Sequence, residues 1–335
     1  MFSQQENRIR KVAFVGYKAS GQVGSAILSS LLQTGNQEIT VLTRPDSKST
    51  FPSSSAINIV KVDYNSEAAL VSAFHDHDFL IITLSTSAPP TLHSSIVAAA
   101  AKAGIQWIMP NYWAFAIGER SGAITTDPLF ISFANYINDV RNVSVPAGGV
   151  KPSFVALANG FWYEFSLSMG EPWFGFDIKN RKVTLYDDGN VKINTSTWNL
   201  CGKAVAALLS LPVSGGNGEP ALEDWKNDAV TISSFLVSQR DMLDSLNRVL
   251  GTTDQDWTIK KQPAKERFQE GMQQLQEGNR LGFAQAMYAR LFFGDGGDYE
   301  TGYGLDNGRL DLRNEDLDEA TKHAVEMVNG GFGIH

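Results

Sequence analysis

The sequence predicts an α/β fold, a doubly wound parallel sheet with a smaller, mostly helical C-terminal substrate-binding part. Three observations predict it. Short apolar runs alternate with helix-patterned segments through the first 110 residues. Those runs are apolar throughout rather than at every second residue, as in strands covered on both faces. Beyond residue 125 the alternation gives way to longer helical patterns. Right-handed crossovers wind such a sheet in two directions and leave a ligand crevice at the carboxyl ends of its strands.

The elements follow in order. Val12–Val15, closed by Gly16, is the first strand. Val23, Ile27, Leu28, Leu31 and Leu32 recur at helical spacing, and Gly35 ends that helix. Glu38–Thr43 and Ile57–Val62 are strands two and three. Asn65 or Ser66 caps a helix through Phe74, and Phe79–Leu84 is strand four. Pro89–Pro90 opens a helix over Thr91–Ala103, closed by Gly104. Ile105–Met109 is strand five, ended by Pro110. Pro128–Val140 reads as helix and Ser153–Leu157 as strand six. After the aromatic cluster Phe161–Tyr163, Phe174–Ile178 and Lys182–Tyr186 alternate around a turn. Asp188–Gly189 signals a hairpin into Val191–Ile193. Asn199–Leu211 is helical and Pro212–Pro220 a loop. The remainder reads mostly as helix: Ser238–Leu250, Ala264–Gln276, Leu281–Phe293 and Asp316–Val328. Leu317, Ala320, Ala324 and Val328 form an apolar stripe on the last of them.

Composition narrows the function. A chain of 335 residues, 43% apolar, can bury a full core without staples. The net charge of −8, with no basic cluster, argues against a nucleic-acid partner. A single cysteine, Cys201, cannot form a disulfide within the chain and fits a reducing compartment; a buried small apolar residue is its expected role. Residues 1–10 are polar, and the most apolar stretch, Ile96–Ile105, is too short to span a bilayer. A cytoplasmic protein without membrane association is expected. The pattern leaves the oligomeric state open.

The turn Gly16-Tyr17-Lys18-Ala19-Ser20-Gly21-Gln22-Val23-Gly24 sits between a strand and a helix. Glycines there permit close backbone approach to a pyrophosphate, and the helix N-terminus offers free N–H groups to the anion. Gly21 and Gly24 fit the second and third glycines of a dinucleotide fingerprint, with Tyr17–Lys18 inserted after Gly16. At the end of strand two stand Thr43 and Arg44; an arginine there suits a 2′-phosphate, and Lys18 could reach the same group. An exposed surface cation is the plain alternative for Arg44. Asp63 faces the adenine edge or simply caps its strand. Leu84 and Ser85 end strand four on the same crevice. The cofactor-binding candidates are therefore Gly16, Lys18, Ser20, Gly21, Gln22, Val23, Thr43, Arg44, Asp63, Leu84 and Ser85, and the cofactor NADP(H). Residues 1–158 form the dinucleotide-binding domain and 159–335 the substrate-binding part, from which the chain can cross back to the sheet.

Other signals are weaker. His75-Asp76-His77-Asp78 has the wrong spacing for one helix face, so no metal is expected. His93 reads as a solvent-side residue rather than a base. No Gly-x-Ser-x-Gly elbow is present, which argues against a serine hydrolase.

The glycine turn with Leu42-Thr43-Arg44 and Ile108-Met109-Pro110-Asn111 resembles the NmrA-like and isoflavone-reductase-like branch of the atypical short-chain dehydrogenases. The blocks Gly160–Leu167, Tyr186–Asn190, Ser196-Thr197-Trp198 and Glu315–Thr321 resemble the CipA-type fungal oxidoreductases, so the likeness covers nearly the whole chain. It implies a Rossmann-type NAD(P) fold, a cytosolic location and often a place in secondary metabolism. The sequence departs from the family in two places. Isoflavone reductases carry Pro-(Ser/Asn)-Glu-(Phe/Trp)-Gly after strand five and a catalytic lysine in the next helical region. Here Pro110-Asn111-Tyr112-Trp113-Ala114 stands instead, and no lysine occurs between Lys102 and Lys151. Asn111, Tyr112 or Tyr163 would then be the polar catalytic partner, or the substrate's own nitrogen carries the charge. Tyr112, Trp113, Phe115, Phe161 and Trp162 either wall a site for a flat, poorly charged polycycle or pack as core between the two parts of the chain. The expected function is an NADP(H)-dependent oxidoreductase of an aromatic or alkaloid-like metabolite, able to couple redox chemistry to cyclisation. The other reading, implied by NmrA-type proteins, is a dinucleotide-sensing regulator without turnover.

Overall fold

The computed structural model describes residues 7–16, 22–52, 54–85, 88–116, 127–147, 149–216 and 218–334. The first half runs β1 (Lys11–Gly16), α1 (Gln22–Thr34), β2 (Glu38–Thr43), β3 (Ile57–Lys61), α2 (Glu67–Phe74), β4 (Phe79–Thr83), α3 (Leu92–Ala103), β5 (Trp107–Met109), β6 (Trp113–Ala114), α4 (Pro128–Arg141) and β7 (Ser153–Ala158). Then come β8 (Phe161–Trp162), α5 (Tyr163–Ser168), β9 (Phe176–Asp177), β10 (Lys182–Tyr186), β11 (Ile193–Ser196), α6 (Trp198–Ser210) and β12 (Asp228–Thr231). The chain ends through β13 (Phe235–Val237), α7 (Gln239–Leu250), β14 (Thr258–Gln262), α8 (Ala264–Gln276), α9 (Leu281–Leu291), α10 (Glu300–Tyr303) and α11 (Leu317–Asn329).

The main sheet has the order β12–β7–β5–β4–β1–β2–β3, with β6 beside β7, and every pairing in it is parallel. Its central strands are buried on both faces. In β1, Val12 and Phe14 enter the apolar layer of α1 and α6, while Ala13 and Val15 enter the layer of α2 and α3. Local chemistry sets the helix ends: Ser66 accepts the Ala69 N–H before α2, Gly104 closes α3 at φ +89°, and Asp127 with Pro128 opens α4.

The second half adds strands to the expected helices, and two expectations need correction. After the Pro-rich loop the chain crosses back to the main sheet at Asp228–Thr231 (β12 beside β7), and Thr258–Gln262 pairs parallel with β10 among the expected helices. The Asp188–Gly189 turn does not close a hairpin. The Asp187 N–H donates to Gln262 O, and Gly189 O accepts the Arg240 N–H, so β14 and α7 hold the chain where a returning strand would lie. β11 pairs instead with β8 and β13. On α11 the buried line is Thr321, Ala324, Val325 and Val328, so the stripe is rotated from the one expected; Leu317 and Ala320 sit at its margin.

α6 runs beside α1 in the same direction. Gly202 lies against Ala26 and Ser30, and further along Gln37 Nε2 donates to Leu209 O. The N-terminus of α6 therefore lies at the same end of the sheet as the start of α1.

Candidate cofactor and substrate site

The parallel registers bring the candidate residues to one edge. Gly16 lies beside Thr83, Val15 beside Leu42, and Ile81 beside Met109. The carboxyl ends of β1, β2, β4 and β5 thus stand in a row. Lys18, Ser20 and Gly21 lie outside the described residues. Gln22 opens α1 and is exposed, Val23 is half-buried, and the first turn of α1 carries no acidic side chain. The positive end of the α1 dipole therefore meets no carboxylate from its own first turn. Thr43 is buried, its carbonyl accepting the Val62 N–H at 2.8 Å. Arg44, with a side chain 40% exposed, reaches Asp46 only loosely, Nε to Oδ1 at 3.5 Å. Its charge also lies near the Tyr64 hydroxyl, which burial pushes above its usual range and Arg44 draws back. Asp63 Oδ1 accepts both the backbone and side-chain N–H of Asn65, which supports the strand-cap reading of that residue. Leu84 and Ser85 are half-buried at the end of β4. A glycine-ended strand, a helix N-terminus without an acidic first turn and a half-exposed arginine on the neighbouring strand suit a phosphorylated dinucleotide.

The aromatic candidates separate into two groups. Strand alternation sends Trp113 and Trp162 into the layer that contains Val23 of α1, where both are half-buried. Trp113 Nε1 donates to Ile82 O at 3.1 Å, which lays the indole across the end of β4. Tyr112, Phe115 and Phe161 are core instead, at 5%, 4% and 7% exposure. Phe115 meets Phe130 and Phe161 edge-on, and Phe161 stacks on Tyr288 with centroids 3.8 Å apart. These rings pack as core between the two parts of the molecule, the alternative to a free wall.

The proposed proton donors are also differently placed. Tyr163 is fully buried, its hydroxyl bonded to Thr321 of α11 at 2.7 Å, away from the sheet edge. Burial pushes both the Tyr112 and Tyr163 hydroxyls above their usual range. Asn111 does stand at the edge, but both ends of its amide are engaged. Oδ1 accepts the Leu84 N–H at 2.8 Å, and Nδ2 donates to Leu84 O at 3.3 Å. His93, expected at the surface, is 1% exposed and bonded to Asp139 and to the Asn111 N–H. Asp78 Oδ2, from the His75–Asp78 run, accepts the Arg10 and Lys11 N–H groups at the opposite edge of the sheet. Among the described residues, no group of three potential ligands gathers for a metal, and no helix is long and apolar enough to cross a membrane.

Residues 19–127 match the family model described as NAD(P)H-binding. The chain is 26% identical over 290 residues to the oxidoreductase aprR of Aspergillus flavus, covering 86% of this chain and 90% of that protein. The chain is thus similar to NAD(P)H-binding oxidoreductases over most of its length. Its fold is that of isoflavone reductase, with a TM-score of 0.65 at 16% identity over 93% of this chain and 98% of that one. AtPrR2, solved with NADP+ and (+)pinoresinol, also shares it, with a TM-score of 0.65 at 17% identity over 96% and 99%.

The chain also buries a carboxyl that sequence reasoning missed. Glu164, 3% exposed, gives Oε1 to the Trp198 N–H at the start of α6 (2.8 Å), while Oε2 has no partner among the described residues. The only signal was a lone charge inside the apolar run Phe161–Leu167. Burial raises the carboxyl from 4.5 to about 7; the Trp198 N–H opposes the rise and Glu315 adds to it. The folded state therefore holds a proton that the unfolded chain has released between those values. Stability from this group is present below pH 4.5 and lost as pH rises to about 7, by roughly 3 kcal/mol. Glu164→Gln should flatten that segment and be more stable than wild type at pH 8, measured by urea unfolding at pH 5 and pH 8. An identical pH dependence in both proteins would exclude Glu164 as its source.

Proposed function

We propose that this protein is an NADP(H)-dependent oxidoreductase acting on an aromatic or alkaloid-like polycycle of secondary metabolism. The observation that carries the cofactor choice is Arg44, a half-exposed guanidinium at the end of β2, where a 2′-phosphate would lie. Gly16 and the start of α1 would receive the pyrophosphate, and Leu84, Ser85 and Asn111 would border the nicotinamide. When bound, the cofactor supplies the hydride. The chain's own groups bind, orient and exclude water. Trp113 and Trp162 offer flat apolar surface on the layer that contains the start of α1.

No lysine takes the family's acid role, and Asn111, Tyr112 and Tyr163 are each engaged or buried. That arrangement favours a substrate already carrying its positive charge, such as an iminium, which accepts hydride without a strong protein acid. Ring closure after hydride transfer would then be steered by pocket shape. The lack of a free acid among the described candidates also supports the second reading, a dinucleotide sensor without turnover.

Deuteride transfer from C4-labelled NADPH to a panel of polycyclic imines and quinones tests the proposal. The expected result is one labelled product, with Trp113→Ala raising KM by roughly tenfold or more, in the range of a buried aromatic anchor. NADPH binding with no transfer to any member would favour the sensor.

A further inference from the structure

His93 is part of a continuous hydrogen-bonded chain that ends at the crevice. From α3, its Nδ1 meets Asp139 Oδ2 of α4 at 2.7 Å, and its Nε2 accepts the Asn111 N–H at 3.2 Å. Asn111 in turn holds both backbone groups of Leu84. Because Nε2 must accept, the ring proton sits on Nδ1, facing the carboxylate. The Tyr136 ring, centroid 4.7 Å away, fixes the remaining face. The other ion pair on this helix, Lys102 with Glu67 of α2, lies nine residues along it and is separate.

The chain joins two outer helices to the ends of β4 and β5. In a doubly wound sheet the adenosine half lies over the side of β1 that carries β2. The nicotinamide half lies over the side that carries β4 and β5. We propose that His93, held by Asp139, is a positioning residue for the nicotinamide half of the cofactor. It acts through Asn111, setting the peptide from which that residue clamps Leu84. This rests on the NADP(H) reading above.

The two halves of the cofactor can be tested apart. NADPH carries both, whereas 2′,5′-ADP carries only the adenosine half and the 2′-phosphate. His93→Phe, which removes the acceptor for the Asn111 N–H, should weaken NADPH about tenfold and leave 2′,5′-ADP unchanged, both measured by calorimetry. His93→Gln, whose Oε1 can take the position of Nε2, should restore most of the NADPH affinity. Should His93→Phe fail to fold, Asp139→Leu serves in its place. Asp139 lines an open cavity of about 1240 Å³ between α3, α4 and the α8–α9 turn, so its substitution does not enter the core. It should weaken NADPH several-fold, again without touching 2′,5′-ADP. Equal losses for both ligands, or no loss for either, would overturn the inference. A wild-type protein that binds neither would overturn the cofactor reading and this inference with it.

Discussion

Arg44→Asp should reverse the cofactor preference. A charge-assisted hydrogen bond from a guanidinium to a phosphate contributes about 1.5–3 kcal/mol. The aspartate also sets a like charge against the dianion. The two effects together should cost NADPH a factor on the order of 100 to 1000 in affinity. NADH should gain, because a carboxylate at the end of β2 accepts from the ribose hydroxyls. The side chain is half-exposed, so the substitution buries no new charge and the fold should be kept. Thermal shifts with each cofactor report the change directly. Equal NADPH and NADH shifts in the wild-type protein would remove Arg44 from the 2′-phosphate.

Gly202→Ala should destabilise the protein, although alanine is the better helix former by about 1 kcal/mol. A Cβ at this position would stand 2.4 Å from Ala26 O and 2.7 Å from Ser30 Oγ. The first of these is backbone of α1 and cannot rotate away. Overpacking of this kind costs about 1–3 kcal/mol, more for a larger side chain, so the clash outweighs the propensity. Gly202→Val should lose at least roughly 3 kcal/mol. Because α1 is the helix that opens at the glycine turn, NADPH affinity should fall as well. Gly216→Ala, where an added Cβ meets nothing within 4 Å, is the control. A Gly202→Ala protein as stable as that control in denaturant would mean that α1 and α6 can separate at little cost.

The α1–α6 contact was not readable from the chain, because Gly202 sits in an unremarkable helical pattern and its neighbour Ala26 lies far away in sequence. His93 was misread for the same reason. Its helix pattern is local, but its partners Asp139 and Asn111 come from α4 and the end of β5. Arg44 could be placed because its position depends only on a strand ending and on the distance from the glycine turn.

The sequence by itself determined the order of strands and helices through residue 110, the ends of most helices, and which strand ends share the glycine-turn edge. These depend on side-chain period, caps and glycines within a few residues of one another. Tertiary structure alone decided which aromatics are core and which half-exposed. Phe161 is buried because Tyr288 stacks on it, and Trp162 is half-exposed because strand alternation turns it to the other layer. It also decided that Asp228–Thr231 returns to the main sheet and that β10 pairs with β14 rather than with the chain following the Asp188–Gly189 turn. Burial and strand pairing are properties of two segments brought together, and a local pattern shows only one of them.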